Sequence, residues 1–279
     1  MIDADQWGSA RLDTWCSLWN EPVRGWDFSE FEGRVEESEP PWSYEEIVRH
    51  AFERAGSALD IGTGGGEFLL RLQDQLPIEV HATEGWERNL DVARRALEPL
   101  GIEVREYDAE EHDRLPYPDR SLDVVLARHE ACCAKEVVRV LRDGGWFITQ
   151  QVDGRNLADL SAHFGAEPRY PDVTLEWFRA EVERAGLIVE QAEEWSGPIR
   201  FDSVDTLVSY LRYMPWHLPK DFSVEAYAQE LIALDERVEP LEFTERRFLI
   251  VAHLPEPEPP PADPFTGRQI RPAASRIVL

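Results

Sequence analysis

The sequence predicts an α/β protein built on a doubly wound, mostly parallel sheet with helices on both faces. Two observations lead to this prediction. Short apolar runs alternate with stretches of helical spacing between residues 43 and 152, and a glycine-rich loop joins the first apolar run to a helix. Repeated strand–helix units are typical of parallel sheets, because each crossover helix returns the chain to the starting edge of the sheet.

Capping and glycine signals delimit the elements of this first part. Ser43 and Glu46 form a capping-box pattern, and the helix that they open ends near Gly56. The later predicted helices start at Glu67, cover Trp86–Leu97 and cover Glu136–Leu141. The five predicted strands are Ala58–Ile61, Ile78–Thr83, Ile102–Tyr107, Leu122–Ala127 and Trp146–Val152.

The pattern loosens after residue 153, where single capping residues mark the remaining helices. Thr174, Ser203 and Ser223 are the predicted N-caps, and Gly186 ends the first of these helices. The remaining predicted segments are the strands Leu187–Gln191 and Phe243–Leu254 and an extended, proline-rich stretch at Pro255–Pro264.

The composition is that of a globular protein and argues against several function classes. The chain has 279 residues, of which 55 are acidic and 29 basic, so its formal net charge is −26. This charge argues against nucleic-acid binding, because phosphate neutralisation needs clustered Lys and Arg. No stretch approaches about 18 uninterrupted apolar residues, so the sequence predicts no membrane span.

The cysteines and the first residues favour the cytoplasm. Cys16, Cys132 and Cys133 form no CxxC motif, and adjacent cysteines rarely bridge, so we expect a reducing compartment. The sequence begins without the basic and apolar regions of a signal peptide.

The first 42 residues form an acidic arm that is rich in tryptophan. Its indoles are Trp7, Trp15, Trp19, Trp26 and Trp42. Because indoles favour burial, we expect the arm to pack on the rest of the molecule. The predicted organisation is the arm at 1–42, one domain at 43–254 and a tail at 255–279.

The most informative stretch is the glycine loop from Gly62 to Gly66. It lies between a strand and a helix, where glycine permits a sharp turn and a close approach to a ligand. The dinucleotide fingerprint fails, because Glu67 stands where its third glycine is required, and a carboxylate there repels a pyrophosphate. The P-loop pattern is absent as well. A tight turn without a ligand remains an alternative at this point.

Two acidic positions follow at informative places. Glu84 ends the second strand, 18 residues after Gly66. An acidic side chain about 20 residues past such a loop is where a ribose diol is held. The alternative is a solvated Glu that opens a helix. Asp108, Ala109 and Glu110 follow the third strand in a loop that is acidic throughout.

The stretch from Asp60 to Gly66 resembles motif I of the class I S-adenosylmethionine-dependent methyltransferases. Residues 115–125 resemble that family's run into strand four, and residues 136–145 resemble its helix and Gly-Gly turn before strand five. The likeness is greatest to the ubiquinone/menaquinone-type (methyltransferase type 11-like) branch, and it is specific over residues 56–152.

The resemblance implies a Rossmann-like, seven-stranded sheet whose last strand, Phe243–Leu254, is antiparallel. Residues 192–242 are then a helical insertion over the strand ends, on the substrate side. The implied cofactor is S-adenosyl-L-methionine, with S-adenosyl-L-homocysteine as product, and an acidic residue after strand three accepts from the adenine amino group. The cofactor-binding residues that follow are Asp60, Gly62, Thr63, Gly64, Gly66, Glu84, Gly85, Trp86, Asp108, Ala109, Glu110 and Arg128.

His129 is the candidate catalytic residue. It follows the fourth strand, at the edge that faces the methyl group in this fold, and imidazole titrates near working pH. A structural, hydrogen-bonded His129 is equally compatible with the sequence. No metal site is predicted: Glu130 and Asp153 stand where a metal-dependent relative needs ligands, but the usual Asp-Asn pair is absent, because Gly154 follows Asp153.

Aromatic residues of the insertion, together with one from the first helix, are candidates for a substrate pocket. They are Tyr44, Tyr210, Tyr213, Trp216 and His217. Such side chains line many ligand sites, although packing of the insertion on the sheet explains them equally well.

The function expected from these features is methyl transfer by direct displacement to a small, apolar or aromatic acceptor. The net charge argues against an RNA methyltransferase, whereas a protein methyltransferase and a methyltransferase fold that binds cofactor or partner without catalysis remain alternatives.

Overall fold

The structure, a computed structural model, describes residues 4–23, 28–109 and 111–257, with side chains from residue 10 onward. Within these residues the strands are β1 Val35–Glu37, β2 Ser57–Ile61, β3 Glu79–Glu84, β4 Glu103–Glu106, β5 Leu122–Arg128, β6 Leu141–Val152, β7 Ile188–Phe201 and β8 Leu241–His253. The helices are α1 Ala4–Trp19, α2 Tyr44–Phe52, α3 Glu67–Arg71, α4 Glu87–Leu97, α5 Ala134–Val140, α6 Ala158–His163, α7 Leu175–Ala185, α8 Val204–Leu211 and α9 Ala228–Asp235. Short 3-10 turns lie at Ser29–Phe31, Glu98–Leu100 and Pro215–His217.

The strands form one sheet in the order β1-β7-β8-β6-β5-β2-β3-β4. The pairs β2–β3, β2–β5, β3–β4 and β5–β6 are parallel. Strand β8 lies antiparallel between β6 and β7. The predicted doubly wound sheet and its antiparallel last strand are therefore confirmed.

The alternation of side chains along the central strands places apolar residues on both faces. On one face, Leu59 and Val125 pack with α5 and α7. On the other, Ala58 and Val124 pack with α2 and α3. Because both faces are covered, the central strands are apolar throughout, as is typical of buried parallel strands.

The predicted helix starts at Ser43, Thr174 and Ser203 are confirmed. Each side-chain hydroxyl accepts a hydrogen bond from the backbone N–H three residues later. Ser223 does the same for Ala226, in the turn that leads into α9. These signals are local, so they operate whatever the rest of the fold does.

The prediction of seven strands was wrong by one. The additional strand is β1, which belongs to the acidic arm and pairs antiparallel with the end of β7. It has only three residues, one half-buried and two exposed. A strand this short carries no periodicity, and its partner residues lie about 160 positions away in the chain.

Strand β7 is longer than predicted, and this corrects the start of the insertion. Residues 192–201, which the sequence analysis assigns to the insertion, are the second half of β7. This half is polar and largely half-buried or exposed, so it lacks a strand-like apolar run. Its stability comes from continuous pairing with the apolar strand β8.

The arm and the insertion together form a helical cap, defined here as α1, the turn at Ser29–Phe31, α8, α9 and residues 212–227. Trp15 of α1 and Phe31 lie in one apolar cluster with Leu207 of α8 and Leu231 of α9. Because α8 follows the carboxyl end of β7, the cap lies at the carboxyl edge of the sheet. The expected packing of the arm is confirmed for Trp15, whereas Trp26 lies outside the described residues.

Polar contacts connect the arm to both helices of the insertion. The indole N–H of Trp15 donates to Asp205 at 2.8 Å. The guanidinium of Arg11 pairs with Asp205 at 3.0 Å and with Asp235 at 2.5 Å. These contacts hold α1 on α8 and α9 at once.

The predicted proline-rich stretch at Pro255–Pro264 is described only as far as Pro257. Among the described helices, none has the length and apolar character needed to cross a membrane.

Replacing Trp15 by alanine tests whether the arm is an integral part of the fold. Trp15 is fully buried, so Trp15→Ala should lower the free energy of unfolding by about 3–5 kcal/mol. The measurement is urea unfolding followed by circular dichroism. Trp177→Ala is the matched control, because Trp177 is 48% exposed, and it should change stability by less than about 0.5 kcal/mol. Equal stability of the two variants would contradict the integral role of the arm.

Candidate active site

The candidate site lies where the carboxyl ends of β2, β3 and β5 meet. These strands are parallel neighbours, with Asp60 of β2 opposite Ala82 of β3 and Leu126 of β5. The loops that follow them therefore emerge side by side. In open α/β sheets, ligands bind at this edge.

The glycine loop after β2 has the backbone that its sequence predicts. Gly62, Gly64 and Gly66 have φ values of 67°, 64° and 91°, in the left-handed region that favours glycine. A Cβ atom at Gly62 would overlap the side chain of Glu130, and one at Gly66 would lie 2.7 Å from Cγ of Leu97. Thr63 anchors the loop by donating its N–H to the carbonyl of Thr83 at 2.8 Å.

Glu84 closes the loop from the neighbouring strand. Its carboxylate accepts the N–H of Gly64 at 2.7 Å and the N–H of Trp86 at 2.8 Å. Desolvation raises the pKa of Glu84, although these backbone hydrogen bonds oppose the shift. A Cβ at Gly85 would lie 2.9 Å from Cβ of Asp108. The structure therefore brings Glu84, Gly85, Trp86 and Asp108 together beside the loop.

Asp60 and Arg128 lie at the base of the loop. Asp60 is 3% exposed, and its desolvation raises its pKa to about 7, although the positive charge of Arg128 opposes the shift. The guanidinium of Arg128 lies 5.8 Å from the ring centre of Tyr44 and 5.6 Å from that of Phe68. Nε of Arg128 is buried and has no hydrogen-bond partner among the described residues.

The charge around the loop favours a cationic ligand over a polyphosphate. Asp60, Glu67, Glu84 and Glu130 all place carboxylates at or beside the glycines. S-adenosylmethionine carries a sulfonium and an ammonium, which suit these carboxylates, and a carboxylate, which suits the unpartnered Nε of Arg128. The residues present therefore fit this cofactor, whereas a pyrophosphate meets carboxyl groups that repel it when they are ionised.

His129 follows β5 in a left-handed conformation, with φ of 60°. Its backbone N–H donates to the carbonyl of Gln150 at 2.8 Å, and its Nε2 lies 2.9 Å from Nε2 of Gln150. The residue as a whole is exposed. Desolvation of the ring, with the charges of Arg247 and Arg128, lowers the pKa of His129 well below its usual value. His129 is therefore uncharged at neutral pH.

Residues 59–149 match the family model described as a methyltransferase domain. This stretch is therefore similar to methyltransferase domains, which confirms the resemblance that the sequence showed and supports S-adenosylmethionine as the cofactor.

A curated relative of the methyltransferase domain is the demethylmenaquinone methyltransferase of Deinococcus radiodurans. It is 39% identical over 113 residues, which are 37% of this chain and 44% of that protein. The match thus spans less than half of the relative's length.

Two solved structures share the fold. The YcgJ protein of Bacillus subtilis has a TM-score of 0.55 at 22% identity, covering 77% of this chain and 99% of its own. A putative methyltransferase of Bacillus halodurans has a TM-score of 0.51 at 18% identity, covering 76% and 99%.

The predicted pocket residues do not form one group. Tyr44 is buried near the glycine loop, where its hydroxyl donates to the carbonyl of Ile148 at 3.2 Å. Tyr210 and Tyr213 are buried inside the cap, and their hydroxyls donate to Glu37 at 3.2 Å and Glu30 at 2.7 Å. The two cap tyrosines therefore hold the arm in place.

The other two predicted pocket residues lie in the turn after α8. Trp216 is 36% exposed, and His217 is buried, with Nδ1 3.4 Å from Oγ of Ser161. Desolvation and the charge of Arg247 lower the pKa of His217 to about 4. Both residues belong to the helical cap, in the 3-10 turn Pro215–His217.

The possible metal ligand Asp153 is already paired. Both of its carboxylate oxygens accept from Arg155, each at 2.7 Å. In the part of the chain that the structure describes, no group of three or more His, Cys, Asp or Glu side chains is arranged to hold a metal ion. Ala109 is half-buried beside Asp108, and Glu110 lies outside the described residues.

Sequence reasoning missed Gln150 and Arg247. Gln150 is 5% exposed on β6 and touches His129. Arg247 on β8 donates to Asn156 at 2.7 Å and to Glu245 at 2.6 Å. Both belong to strands whose apolar pattern predicts only a buried core. The one sequence signal for a functional role was a polar residue inside an otherwise apolar strand.

Replacing Asp60 by asparagine tests its raised pKa. Between 3.8 and about 7, the folded protein retains a proton that the unfolded chain has released. The free energy of unfolding therefore falls as pH rises through this window. Asp60→Asn cannot ionise, so relative to the wild type its unfolding free energy should rise by up to about 4 kcal/mol between about pH 4 and pH 8. Urea unfolding of both proteins at several pH values measures this. Parallel stability curves would refute the raised pKa.

Proposed function

We propose that this chain is an S-adenosylmethionine-dependent methyltransferase that transfers the methyl group to a small-molecule acceptor. The observation that carries the proposal is the contact between the glycine loop and Glu84, within the part of the chain that matches the methyltransferase family. The acidic surroundings of that contact suit a cationic cofactor.

In this proposal, different residues around the loop bind different parts of the cofactor. Glu84 retains lone pairs on both oxygens beyond its two backbone bonds, and these accept the two ribose hydroxyls. Asp108, which lies against Gly85, accepts from the adenine amino group. The guanidinium of Arg128 binds the cofactor carboxylate through the Nε that has no protein partner.

The bound cofactor would supply an activated methyl group on a positively charged sulfur, for direct displacement by the acceptor. The work of the protein is to align the two reactants and to exclude water. The loop and Arg128 fix one reactant, and the cap at the same edge covers the other.

Several features support a small acceptor. The net charge of −26 disfavours RNA. The curated relative takes its name from demethylmenaquinone, a small molecule. Trp216 and His217, beside the carboxyl edge, offer an aromatic contact for such an acceptor. The proposal therefore includes an apolar or aromatic acceptor.

The proposal also includes a cytoplasmic location. Cys16, Cys132 and Cys133 are free thiols. Burial raises the pKa of Cys132 to about 12, and the nearby charges of Glu130 and Cys133 add to this increase. Three unpaired thiols are expected of a protein that works in a reducing compartment.

Thermal unfolding with added ligands tests the cofactor assignment. S-adenosylhomocysteine at 100 times its dissociation constant should add about 2.7 kcal/mol of stability, which is roughly 5–10 °C for a chain of this size. NAD should give no shift, because its pyrophosphate meets the carboxylates of the loop.

A pair of variants on β3 makes the test specific. Glu84→Gln should weaken S-adenosylhomocysteine binding by about tenfold or more, because an NH2 donor replaces one of the two acceptor oxygens and cannot accept the backbone N–H that this oxygen binds. Glu79→Gln, at the exposed start of the same strand, should bind as the wild type does. A shift with NAD instead, or equal binding by both variants, would overturn the assignment.

A further inference from the structure

Three side chains form a hydrogen-bonded chain at the carboxyl end of β5 and β6. The indole Nε1 of Trp42 donates to Oε1 of Gln150 at 2.8 Å. Nε2 of the same amide lies 2.9 Å from Nε2 of His129. Gln150 is 5% exposed, so its amide has little access to water.

The direction of this chain follows from the chemistry of its first member. An indole N–H donates and cannot accept, so the oxygen of the Gln150 amide must face Trp42. The NH2 group of the amide must then face His129. Two donors cannot face one another, so Nε2 of His129 accepts the hydrogen bond through its lone pair.

The proton of the neutral ring is therefore on the other nitrogen. In an uncharged imidazole one nitrogen carries hydrogen and the other accepts. With Nε2 accepting from Gln150, Nδ1 carries the hydrogen. Nδ1 makes no hydrogen bond to the described residues, and the residue keeps an accessible surface.

We infer that Trp42 and Gln150 are positioning residues that fix His129 as the Nδ1–H tautomer, so that His129 serves the proposed methyl transfer as a hydrogen-bond donor and not as a general base. This inference rests on the proposed function for its catalytic meaning. The tautomer itself follows from the hydrogen bonds alone.

The arrangement leaves no nitrogen of His129 free to take a proton from the acceptor. Nε2 is held by Gln150, and Nδ1 is already protonated. A second proton would also add charge between Arg128 and Arg247, both of which act on the ring. A donor at Nδ1 selects an acceptor molecule with an oxygen lone pair next to its nucleophilic atom, such as a carbonyl or phenolate, that arrives already deprotonated.

The backbone also holds the ring in register with its partner. The N–H of His129 donates to the carbonyl of Gln150 at 2.8 Å, so the two residues are joined by their main chains as well as their side chains. The left-handed φ of 60° turns the chain directly after β5. A non-glycine residue in this region is uncommon and costs free energy that the surrounding contacts must offset.

Nitrogen-15 magnetic resonance of the full-length chain, labelled at histidine, tests the inference without any acceptor. The His129 signals are assigned by their loss in His129→Gln. In the wild type, Nδ1 should show the chemical shift of a protonated nitrogen, and Nε2 that of an unprotonated one. Protonation at Nε2 in the wild type would overturn the inference.

Two variants alter the hydrogen bonds among Trp42, Gln150 and His129 at different points. Gln150→Glu places an acceptor opposite Nε2, so the proton should move to Nε2 or the ring should become doubly protonated. Trp42→Phe removes the donor that orients the amide, so both tautomers should appear. Trp146→Phe, four residues before Gln150 on the same strand β6 and 37% exposed, is the matched control and should leave His129 as in the wild type. If His129 kept a pure Nδ1–H form in both Gln150→Glu and Trp42→Phe, the inference that Trp42 and Gln150 fix its tautomer would be refuted.

The inference about His129 and the proposed function can fail separately. In the wild type, S-adenosylhomocysteine binding reports on the cofactor site, and the tautomer of His129 reports on its hydrogen bond with Gln150. The Nδ1–H tautomer without cofactor binding would overturn the proposed function alone, whereas normal binding with the Nε2–H tautomer would overturn the inference about His129 alone.

Discussion

The parallel pairing of β2 with β3 and β5 is the constraint on which the site depends. It brings three chain reversals to one edge, although the residues at those reversals lie far apart in the chain. The carboxylate of Glu84 then reaches the N–H of Gly64, and the segment after β5 reaches Gly62. Each contact needs its strands in register, because a shift of one residue turns every side chain to the other face.

Burial of charge at this edge is offset locally. Asp60 and Glu84 are both buried, and desolvation raises the pKa of each. Backbone N–H groups compensate the negative charge of Glu84, whereas the nearby positive charge of Arg128 favours the ionised form of Asp60. Burying an ionised carboxylate without full compensation costs several kcal/mol, and carboxylates with pKa values perturbed in this way cluster at functional sites.

The parts of the fold that follow local rules could be predicted from the sequence. The caps at Ser43 and Thr174 and the left-handed glycines depend on neighbouring residues only. Strand β8 was recognised from its apolar run. The position of Glu84 beside the loop was predicted as well, because the spacing of a βαβ unit fixes it.

Features that depend on distant partners could not be predicted. Strand β1 and the polar half of β7 support one another and have no apolar pattern of their own. Tyr213 was a candidate pocket residue because its contact with Glu30 of the arm is invisible in the sequence. The environment of His129 depends on Trp42 and Gln150, which lie 108 residues apart.

The contact between Arg11 and Asp235 spans 224 positions of the chain, and this has a consequence for biosynthesis. The ribosome makes α1 well before the helices that cover Trp15, because Asp205 of α8 follows Trp15 by 190 positions. Until then the arm has no partner for Trp15, and its apolar surface is open to chaperones or to other nascent chains. Closure of such long loops is slow. The helical cap at the carboxyl edge of the sheet therefore forms only after α8 and α9 have been made, and a nascent chain that stops before α9 has an incomplete cap.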